Sequence, residues 1–433
     1  MTSTERAPSG SEETGEPSLR RSIGLGQAIA LYVGAVLGAG VLVLPGQAAS
    51  TAGPASLVAW IFMGLLGLPL AMTFAALATK HPGAGGVATF ATRAFGPTAG
   101  GLAGWFYFAA GSIGQTVVPL TGGYYVAAAL QIDQDHSFVI AAGILAVATA
   151  ANLMGLRISG RVQLLLAAGV ALLLLTASVT ALPRMTTDHL TPFAPHGLSG
   201  IAQAALTLFF AFAGWEAIAH LAGEFRDVRR DLRRATFITV VIVIVLYLGI
   251  AFGVVATGTY GDPELDRIAV GRVLGTSVGF STAATTGVVA TVISLGTTNA
   301  FIASVSRLGY ALGKEGWLPA PLGKLTTRGI PTRGVWAVSA IGAAGLLLGY
   351  LNHWGTEDIV NIPAVLVLVT YLVGTAAGIR LLSGRGRALA LTAFALTVLV
   401  TPFVASYALV PVVVAAVALT YRWTRTRTRP GAA

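Results

Sequence analysis

The sequence contains no cysteine among its 433 residues, which excludes disulfides, thiolate metal sites and cysteine nucleophiles. It is also poor in charge, because only 10% of its residues are Asp, Glu, Lys or Arg, whereas soluble domains carry about 25%. Hydrophobic residues make up 55% of the chain, and the mean hydropathy is +0.77. A water-soluble surface cannot be built from this composition, so we predict an integral membrane protein.

The two ends of the chain depart from this apolar composition. Residues 1–21 are dominated by Ser, Thr, Glu, Pro and Gly, with too few apolar groups to offset the entropy of ordering. They lack the charged start, short apolar core and small-residue cleavage site of a signal peptide. We therefore expect a disordered cytoplasmic tail at 1–21, a first helix that stays in the mature protein, and a basic cytoplasmic tail at 423–433.

Long uncharged runs fill the rest of the chain. Each run can cross a hydrocarbon core of about 30 Å, which takes roughly 20 helical residues. The last run is too long for one helix and has Thr401-Pro402 near its middle, so two short helices fit it better. This gives twelve predicted transmembrane helices. The runs are 25–47, 54–79, 94–132, 137–156, 162–183, 197–215, 235–261, 273–306, 334–352, 359–379 and 388–421.

The basic residues predict the orientation, since cytoplasmic loops carry an excess of Lys and Arg. With the N-terminus inside, 24 of the 27 basic residues are cytoplasmic. The three outside are Arg184, Arg267 and Arg272. Eight acidic residues share that outer side: Asp133, Asp135, Asp188, Asp262, Glu264, Asp266, Glu357 and Asp358. We therefore expect a multi-pass protein of a bacterial plasma membrane, with both termini cytoplasmic.

The net charge of +10 needs no nucleic-acid partner, because basic cytoplasmic loops beside anionic lipid account for it. The lipid bilayer is the expected surrounding, and the sequence leaves the oligomeric state open. No Walker motif, zinc signature or nucleophile elbow is present, so we expect no enzyme activity and no cofactor.

Three correspondences between the halves of the chain favour an inverted repeat, the usual plan of secondary transporters. Glycine interrupts span one at 34–40 and span six at 211–216. Spans three and eight are the longest single-helix runs, and the loops after spans two and seven can each hold a short helix. We predict an all-α membrane protein with a five-plus-five inverted repeat and broken helices 1 and 6. Its transport core would cover 22–381, and two additional helices 382–422.

Gly38-Ala39-Gly40 allows two readings. Small residues let membrane helices pack closely, and many membrane helices contain such a triplet. Alternatively, the glycines let the backbone leave the helix and free amide groups, which together with the helix dipole suit a carboxylate. Irregular backbone at membrane depth is tolerated where it lines a cavity. The matching break in span six favours this second reading.

Glu216 is the one carboxylate within a predicted span, and His220 lies one helical turn further on. Ionisable groups at that depth mark pathways or proton relays by default. The alternative for Glu216 is a neutral group that braces the broken helix, and a structural role for His220 is as well supported as a proton role.

Aromatic and polar side chains accompany the break in span six and the neighbouring helices. Phe209 and Trp215 fit ordinary packing, whereas Phe210 and Phe212 bracket the unwound segment, where a ring can cap a bound side chain. Polar groups in apolar helices mostly hydrogen-bond helix to helix. Those in this chain are Tyr32, Gln115, Thr116, Asn299, Ser304 and Ser306.

At these residues the sequence resembles the amino acid, polyamine and organocation transporter superfamily. The matching stretches are Gly38-Ala39-Gly40-Val41, Phe212-Ala213-Gly214-Trp215-Glu216, Ser306-Arg307 and Gly316-Trp317-Leu318-Pro319. Within the superfamily, residues 81–87 and 216–225 are most similar to the bacterial exporters of methionine and branched-chain amino acids.

The resemblance implies a substrate site at the two breaks. The substrate carboxylate would bind the amides of Ala39 and Gly40, next to Gly38, and its ammonium the carbonyls of Val36, Phe210 and Ala213, next to Gly214. Phe210 would be a gating aromatic and Glu216 a proton-sensing carboxylate. Some proton-coupled members place a lysine in the fifth helix, and residues 162–183 contain none, which excludes coupling through that group.

The pocket walls lack a charged side chain for a substrate, which favours small neutral amino acids such as methionine, leucine, isoleucine and valine. The resulting hypothesis is a secondary active exporter, driven by the proton gradient, that works by alternating access. Two alternatives remain: an importer of the same fold, and a membrane amino acid sensor that does not transport.

Overall fold

The computed structural model describes residues 24–81, 86–155, 160–216, 225, 227–278 and 281–427. Its regular elements in these ranges are helices, the form in which a membrane-embedded backbone satisfies its own hydrogen bonds. The first part of the chain forms α1 Leu25–Val36, α2 Leu44–Ala52, α3 Ser56–Lys80, α4 Gly86–Phe95, α5 Pro97–Leu130, α6 His136–Leu153 and α7 Gly160–Ala181.

The second part begins with α8 Gly197–Leu208. It continues with α9 Arg233–Ala256, α10 Pro263–Asp266, α11 Ala269–Val278, α12 Ser281–Lys314, α13 Thr332–Asn352, α14 Thr356–Ile359 and α15 Asn361–Leu381. The last two helices are α16 Gly384–Val400 and α17 Leu409–Arg427, separated by a 3₁₀ segment, Thr401–Tyr407, at the break that Thr401-Pro402 predicts.

Eight helical segments among the described residues are long and apolar enough to cross a membrane. They correspond to predicted spans two, four, five and seven to eleven. Span one is broken into α1, a 3₁₀ turn and α2, and in span six α8 ends in turns at 209–216, as the glycines of both spans predict. The structure thus supports a multi-pass membrane protein, and the count of twelve stays a prediction.

The two halves repeat one order of elements. A break is followed by a long helix, then by one or two short helices, then by a helix of 34 residues. The elements are α1 to α5, with α4 as the one short helix, and α8 to α12, with α10 and α11 as the two. The predicted pair of longest helices is therefore present as α5 and α12. This shared order supports the five-plus-five plan, while the inverted orientation of the halves stays a prediction.

Glycine brings α5 and α12 into close contact. A Cβ added at Gly111 would lie 2.4 Å from Cγ2 of Val305, closer than carbon atoms approach. Small residues at such positions let membrane helices pack backbone to backbone, where dispersion contacts replace a hydrophobic driving force. The two 34-residue helices therefore form a closely packed centre around which the shorter elements lie.

Trp317, in one of the stretches that carry the family resemblance, anchors the C-terminal helix to this centre. The indole is 1% exposed, and its backbone carbonyl accepts a hydrogen bond of 2.7 Å from Nε1 of Trp105 on α5. The Arg422 guanidinium of α17 lies 4.1 Å from the Trp317 ring centroid, within cation–π distance. The loop after α12 thereby joins α5 to α17.

The contact between α5 and α6 gives a stability test. A Cβ at Gly123 would lie 2.2 Å from the backbone oxygen of Ser137, so Gly123→Ala must displace backbone. Overpacking of this kind costs about 1–3 kcal/mol, and we expect a lower unfolding midpoint for the purified protein in detergent. Gly143→Ala on α6 is the control, because nothing lies within 4 Å of its added Cβ. Equal midpoints for the two variants would contradict the close contact.

Candidate functional site

The break in the first helix begins where α1 ends at Val36. Leu37 and Gly38 are not helical, a 3₁₀ turn covers Ala39–Leu42, and α2 then starts at Leu44. The N–H of Gly38 donates to the Val36 carbonyl at 2.8 Å, which closes the turn. Ala39 and Gly40 are fully buried, and their N–H groups donate to no acceptor in the part of the chain that the structure describes.

The break in the sixth predicted span begins after Leu208, the last residue of α8. Residues 209–216 form turns, with hydrogen bonds from Phe212 N–H to the Leu208 carbonyl and from Ala213 N–H to the Phe210 carbonyl. Gly214 has a φ of +112°, a conformation that glycine adopts without strain. This glycine turns the chain at the point where the sequence predicts that the helix unwinds.

Tyr247 of α9 holds the two breaks together. Its hydroxyl lies 2.9 Å from the Val36 carbonyl oxygen and 3.1 Å from the Ala211 carbonyl oxygen. A phenolic hydroxyl has one proton, so it donates to one of these carbonyls at a time. Tyr32 of α1 adds a second link, because its hydroxyl donates to the Trp215 carbonyl at 2.7 Å.

A cavity lies between the two breaks and is lined by residues of both. No Asp, Glu, Lys, Arg or His is among the described residues that line it. The Phe210 ring stands between the first break and α5, since a Cβ on either Gly40 or Gly114 would lie 3.4 Å from it. The lining consists of Val36, Gly38, Ala39, Gly40, Val41, Tyr107, Ala110, Gly111, Gly114, Gln115, Val118, Phe210, Ala211, Ala213, Tyr247, Thr297, Phe301 and Val367.

Six of the eight predicted substrate-binding residues are in this lining: Val36, Gly38, Ala39, Gly40, Phe210 and Ala213. Phe212 and Gly214 lie behind it. The Phe212 ring is 2% exposed and packs edge to face on Tyr247, with 5.2 Å between ring centroids. The Gly214 N–H donates to the Tyr371 hydroxyl at 3.1 Å. Direct contact with a molecule in the cavity therefore falls to the other six.

Glu216 is 1% exposed and lies outside the lining. The Tyr371 hydroxyl of α15 is 2.5 Å from its Oε2, which also accepts the Gly214 N–H at 3.3 Å. Oε1 has no hydrogen-bond partner in the described ranges. Tyr107 lines the cavity. The other predicted proton-coupling residue, His220, lies outside the described residues.

The hydrogen bonds at the breaks determine which backbone groups are available to bind a ligand. The Val36 carbonyl already faces two donors, Gly38 N–H and the Tyr247 hydroxyl, and a carbonyl has two lone pairs. A ligand ammonium group can bind the Val36 carbonyl only if the Tyr247 hydroxyl donates its proton to the Ala211 carbonyl instead. The amides of Ala39 and Gly40 need no such exchange, so the site is better prepared for a carboxylate than for an ammonium group.

Several lining residues were missed from the sequence. Tyr107, Tyr247, Thr297 and Val367 come from four helices whose apolar patterns do not distinguish one face from another. Gln115 was noted only as a polar group in an apolar helix. It is fully buried, its amide nitrogen donates to the Gly111 carbonyl, and its Oε1 has no partner within the described segments. That unpartnered acceptor can receive a hydrogen bond from a ligand.

A second polar cluster lies beyond the cavity, on the side that the charge pattern predicts to be external. Arg267 Nη2 is 2.5 Å from Glu357 Oε1. Burial lowers the pKa of Arg267, but the hydrogen bond to Glu357 and the negative charge of that residue outweigh burial and raise it overall. Burial also raises the pKa of Asp266, against the opposing effect of a hydrogen bond from Ser50.

A helical membrane protein whose two broken helices meet at a buried, uncharged cavity has the architecture of a secondary transporter. The chain belongs to the amino acid permease family, because the family model for amino acid permeases matches residues 23–432.

Named relatives extend over most of the chain. It is 34% identical over 413 residues to the uncharacterized amino acid permease YecA of Bacillus subtilis (94% of this chain, 97% of the relative). It is 27% identical over 389 residues to the L-methionine/branched-chain amino acid exporter YjeH of Escherichia coli (89% and 92%). It is 26% identical over 340 residues to the branched-chain amino acid permease BcaP of Lactococcus lactis (72% of each chain).

The Tyr247 hydroxyl gives a test of how the breaks are held. Tyr247→Phe removes the hydrogen-bonding proton and leaves the buried Ala211 carbonyl without this donor, at a cost of about 1–3 kcal/mol. We expect a lower unfolding midpoint and weaker binding of amino acid to the purified protein. Tyr350→Phe is the control, because that side chain is 49% exposed. Unchanged stability and affinity in Tyr247→Phe would contradict the role of this hydroxyl.

Proposed function

We propose that this chain is a secondary active transporter that exports small neutral amino acids, namely methionine, leucine, isoleucine and valine. The proton gradient drives export, and the cavity between the two breaks opens to one side of the membrane at a time.

The composition of the cavity is the observation that carries this proposal. A zwitterionic amino acid needs partners for its carboxylate and its ammonium group, and buried charges must be paired or hydrogen-bonded. The amides of Ala39 and Gly40 suit the carboxylate, at the start of a segment whose helix dipole favours negative charge. Because no charged side chain is among the described lining residues, an uncharged, apolar substrate side chain fits best.

The relatives support the substrate class. The Escherichia coli relative is named as an exporter of methionine and branched-chain amino acids, and the Lactococcus lactis relative as a branched-chain amino acid permease. Export is favoured by the first of these, which matches a larger share of this chain than the second does. Uptake by the same fold is the alternative, since the gradients, and not the fold, determine the direction.

The position of Glu216 supports coupling to protons. A carboxyl group at membrane depth is expensive unless it pairs or exchanges a proton. The Glu216 carboxylate is hydrogen-bonded to the Tyr371 hydroxyl and to the Gly214 N–H at the second break. Phe210 and Ala213 of that break line the cavity, so a proton on Glu216 can respond to what the cavity holds. No buried basic side chain is paired with it in the described ranges.

Direction and substrate are tested together in cells that overexpress the chain, by measuring accumulation of radiolabelled methionine and leucine with and without an uncoupler. We expect lower accumulation than in cells without the chain, and recovery when the uncoupler is added. The matched control is Gly40→Leu, whose side chain would occupy the cavity between Leu44 and Phe210.

Higher accumulation in the expressing cells would make the protein an importer. Purified protein in liposomes that exchanged none of leucine, isoleucine, valine and methionine would refute the proposed substrates.

The proton role predicts a change in pH dependence. Glutamine cannot exchange a proton, so Glu216→Gln should flatten the dependence of transport rate on pH, and Tyr371→Phe should alter it in the same range. Glu315→Gln serves as the control, because this carboxylate is exposed and outside the cavity. The measurement is the initial rate of exchange in liposomes at a series of pH values. A Glu216→Gln profile that matched the wild-type profile would mean that Glu216 is structural.

A further inference from the structure

The outer polar cluster joins four separate parts of the chain. Arg267 follows α10, and Glu357 lies in α14. Their contact is bidentate, with a second distance of 3.4 Å from Arg267 Nε to Glu357 Oε2. The guanidinium lies 4.9 Å from the Tyr124 ring centroid on α5. Gln47 of α2 donates to the Thr356 hydroxyl at 2.7 Å and faces Glu357 Oε2 at 3.4 Å.

This cluster lies beyond the cavity along α5, where Tyr124 is six residues past the lining residue Val118, about 9 Å at 1.5 Å per helical residue. Gln47 of α2 is six residues past the lining residue Val41 of the first break. Glu357 of α14 comes ten residues before Val367, the lining residue of the next helix, α15. The cluster therefore stands between the cavity and the predicted outer face.

The loop that carries Arg267 is fastened to α2. The Ser50 hydroxyl donates to the Asp266 carboxylate, and the Gly261 N–H donates to the same carboxylate at 3.0 Å. A Cβ at Gly46 would lie 2.4 Å from the Asp266 backbone oxygen, so the helix and the loop touch backbone to backbone. Arg267 must move with α2, the half-helix that follows the first break.

We propose that the Arg267–Glu357 ion pair is the outer closure of the cavity, and that the pathway to the outer face opens when this pair breaks. The pair joins the loop fastened to α2 to α14, and the guanidinium lies against Tyr124 of α5. Its side chains are 17% and 33% exposed, so water can hydrate both ions once they separate. Ion pairs that stay partly hydrated add little net stability, which suits a contact that must break in every cycle.

The absence of cysteine makes a direct test possible. A single cysteine at Val118, in the cavity lining, is labelled in intact cells with a membrane-impermeant thiol reagent applied from outside. We expect slow labelling in the otherwise unchanged chain and a several-fold faster rate in Arg267→Gln and in Glu357→Gln. The double variant Arg267→Glu with Glu357→Arg restores an ion pair. It should label more slowly than either single variant, although it loses the contact with Tyr124.

Asp135→Asn is the control, because it neutralises an exposed acid on the same predicted face outside the cluster. Thr297→Cys is a second labelling position, on α12, for use if the cysteine at Val118 prevents folding.

Labelling rates that are unchanged in both single variants would overturn the proposal, as would a double variant that labels as fast as the single ones. The proposal would also be overturned if the chain that carries only the cysteine at Val118, with Arg267 and Glu357 unchanged, were labelled fast. The inference rests on the proposed function only in assuming alternating access. Because labelling requires no substrate, the closure can be established even if methionine and leucine prove not to be transported.

Discussion

The structure depends on how backbone polar groups are satisfied where two membrane helices break. Water is not available at that depth, and each unsatisfied group costs free energy. Tyrosine hydroxyls from neighbouring helices supply donors to the break carbonyls. The contacts are Tyr32 to Trp215, Tyr247 to Val36 and Ala211, Tyr125 to Leu42, and Tyr371 to Phe212. Tyrosine suits this role because its ring packs among apolar side chains while its hydroxyl reaches a partner.

These hydroxyls donate to the carbonyl groups at the breaks, but at the first break they do not supply acceptors for the backbone N–H groups. A phenolic hydroxyl donates readily, and the break carbonyls are acceptors, so the donors that remain at the first break are the N–H groups of Ala39 and Gly40. An anion is the natural partner of two such amides. The same arrangement explains why Val36 is less available than its position in the lining indicates. The local chemistry of the break thus favours a carboxylate before any relative is considered.

The sequence predicted the features that depend on local composition. Glycine marked both breaks, Thr401-Pro402 marked the interruption before α17, and long uncharged runs marked the 34-residue helices α5 and α12. It did not predict which faces of the helices meet. Tyr247 and Val367 reach the cavity from separate apolar helices, because in a membrane both the lipid-facing and the buried face are apolar. Phe212 was expected beside the substrate, but packing against Trp60 and Tyr247 holds it behind the lining.

The helices are held by two kinds of contact, close apolar packing and polar contacts. The α5–α12 packing is made by glycine at van der Waals limits, as between Gly111 and Val305, and such packing does not deform continuously. The two breaks are joined instead by polar contacts, and the Tyr247 hydroxyl has two acceptors within reach, the carbonyls of Val36 and Ala211. The Tyr247 hydroxyl keeps one hydrogen bond whichever of the two carbonyls it binds. The proposed alternating access requires two conformations of similar free energy, and we expect the change between them at the polar contacts of α1, α2 and the second break rather than in the α5–α12 packing.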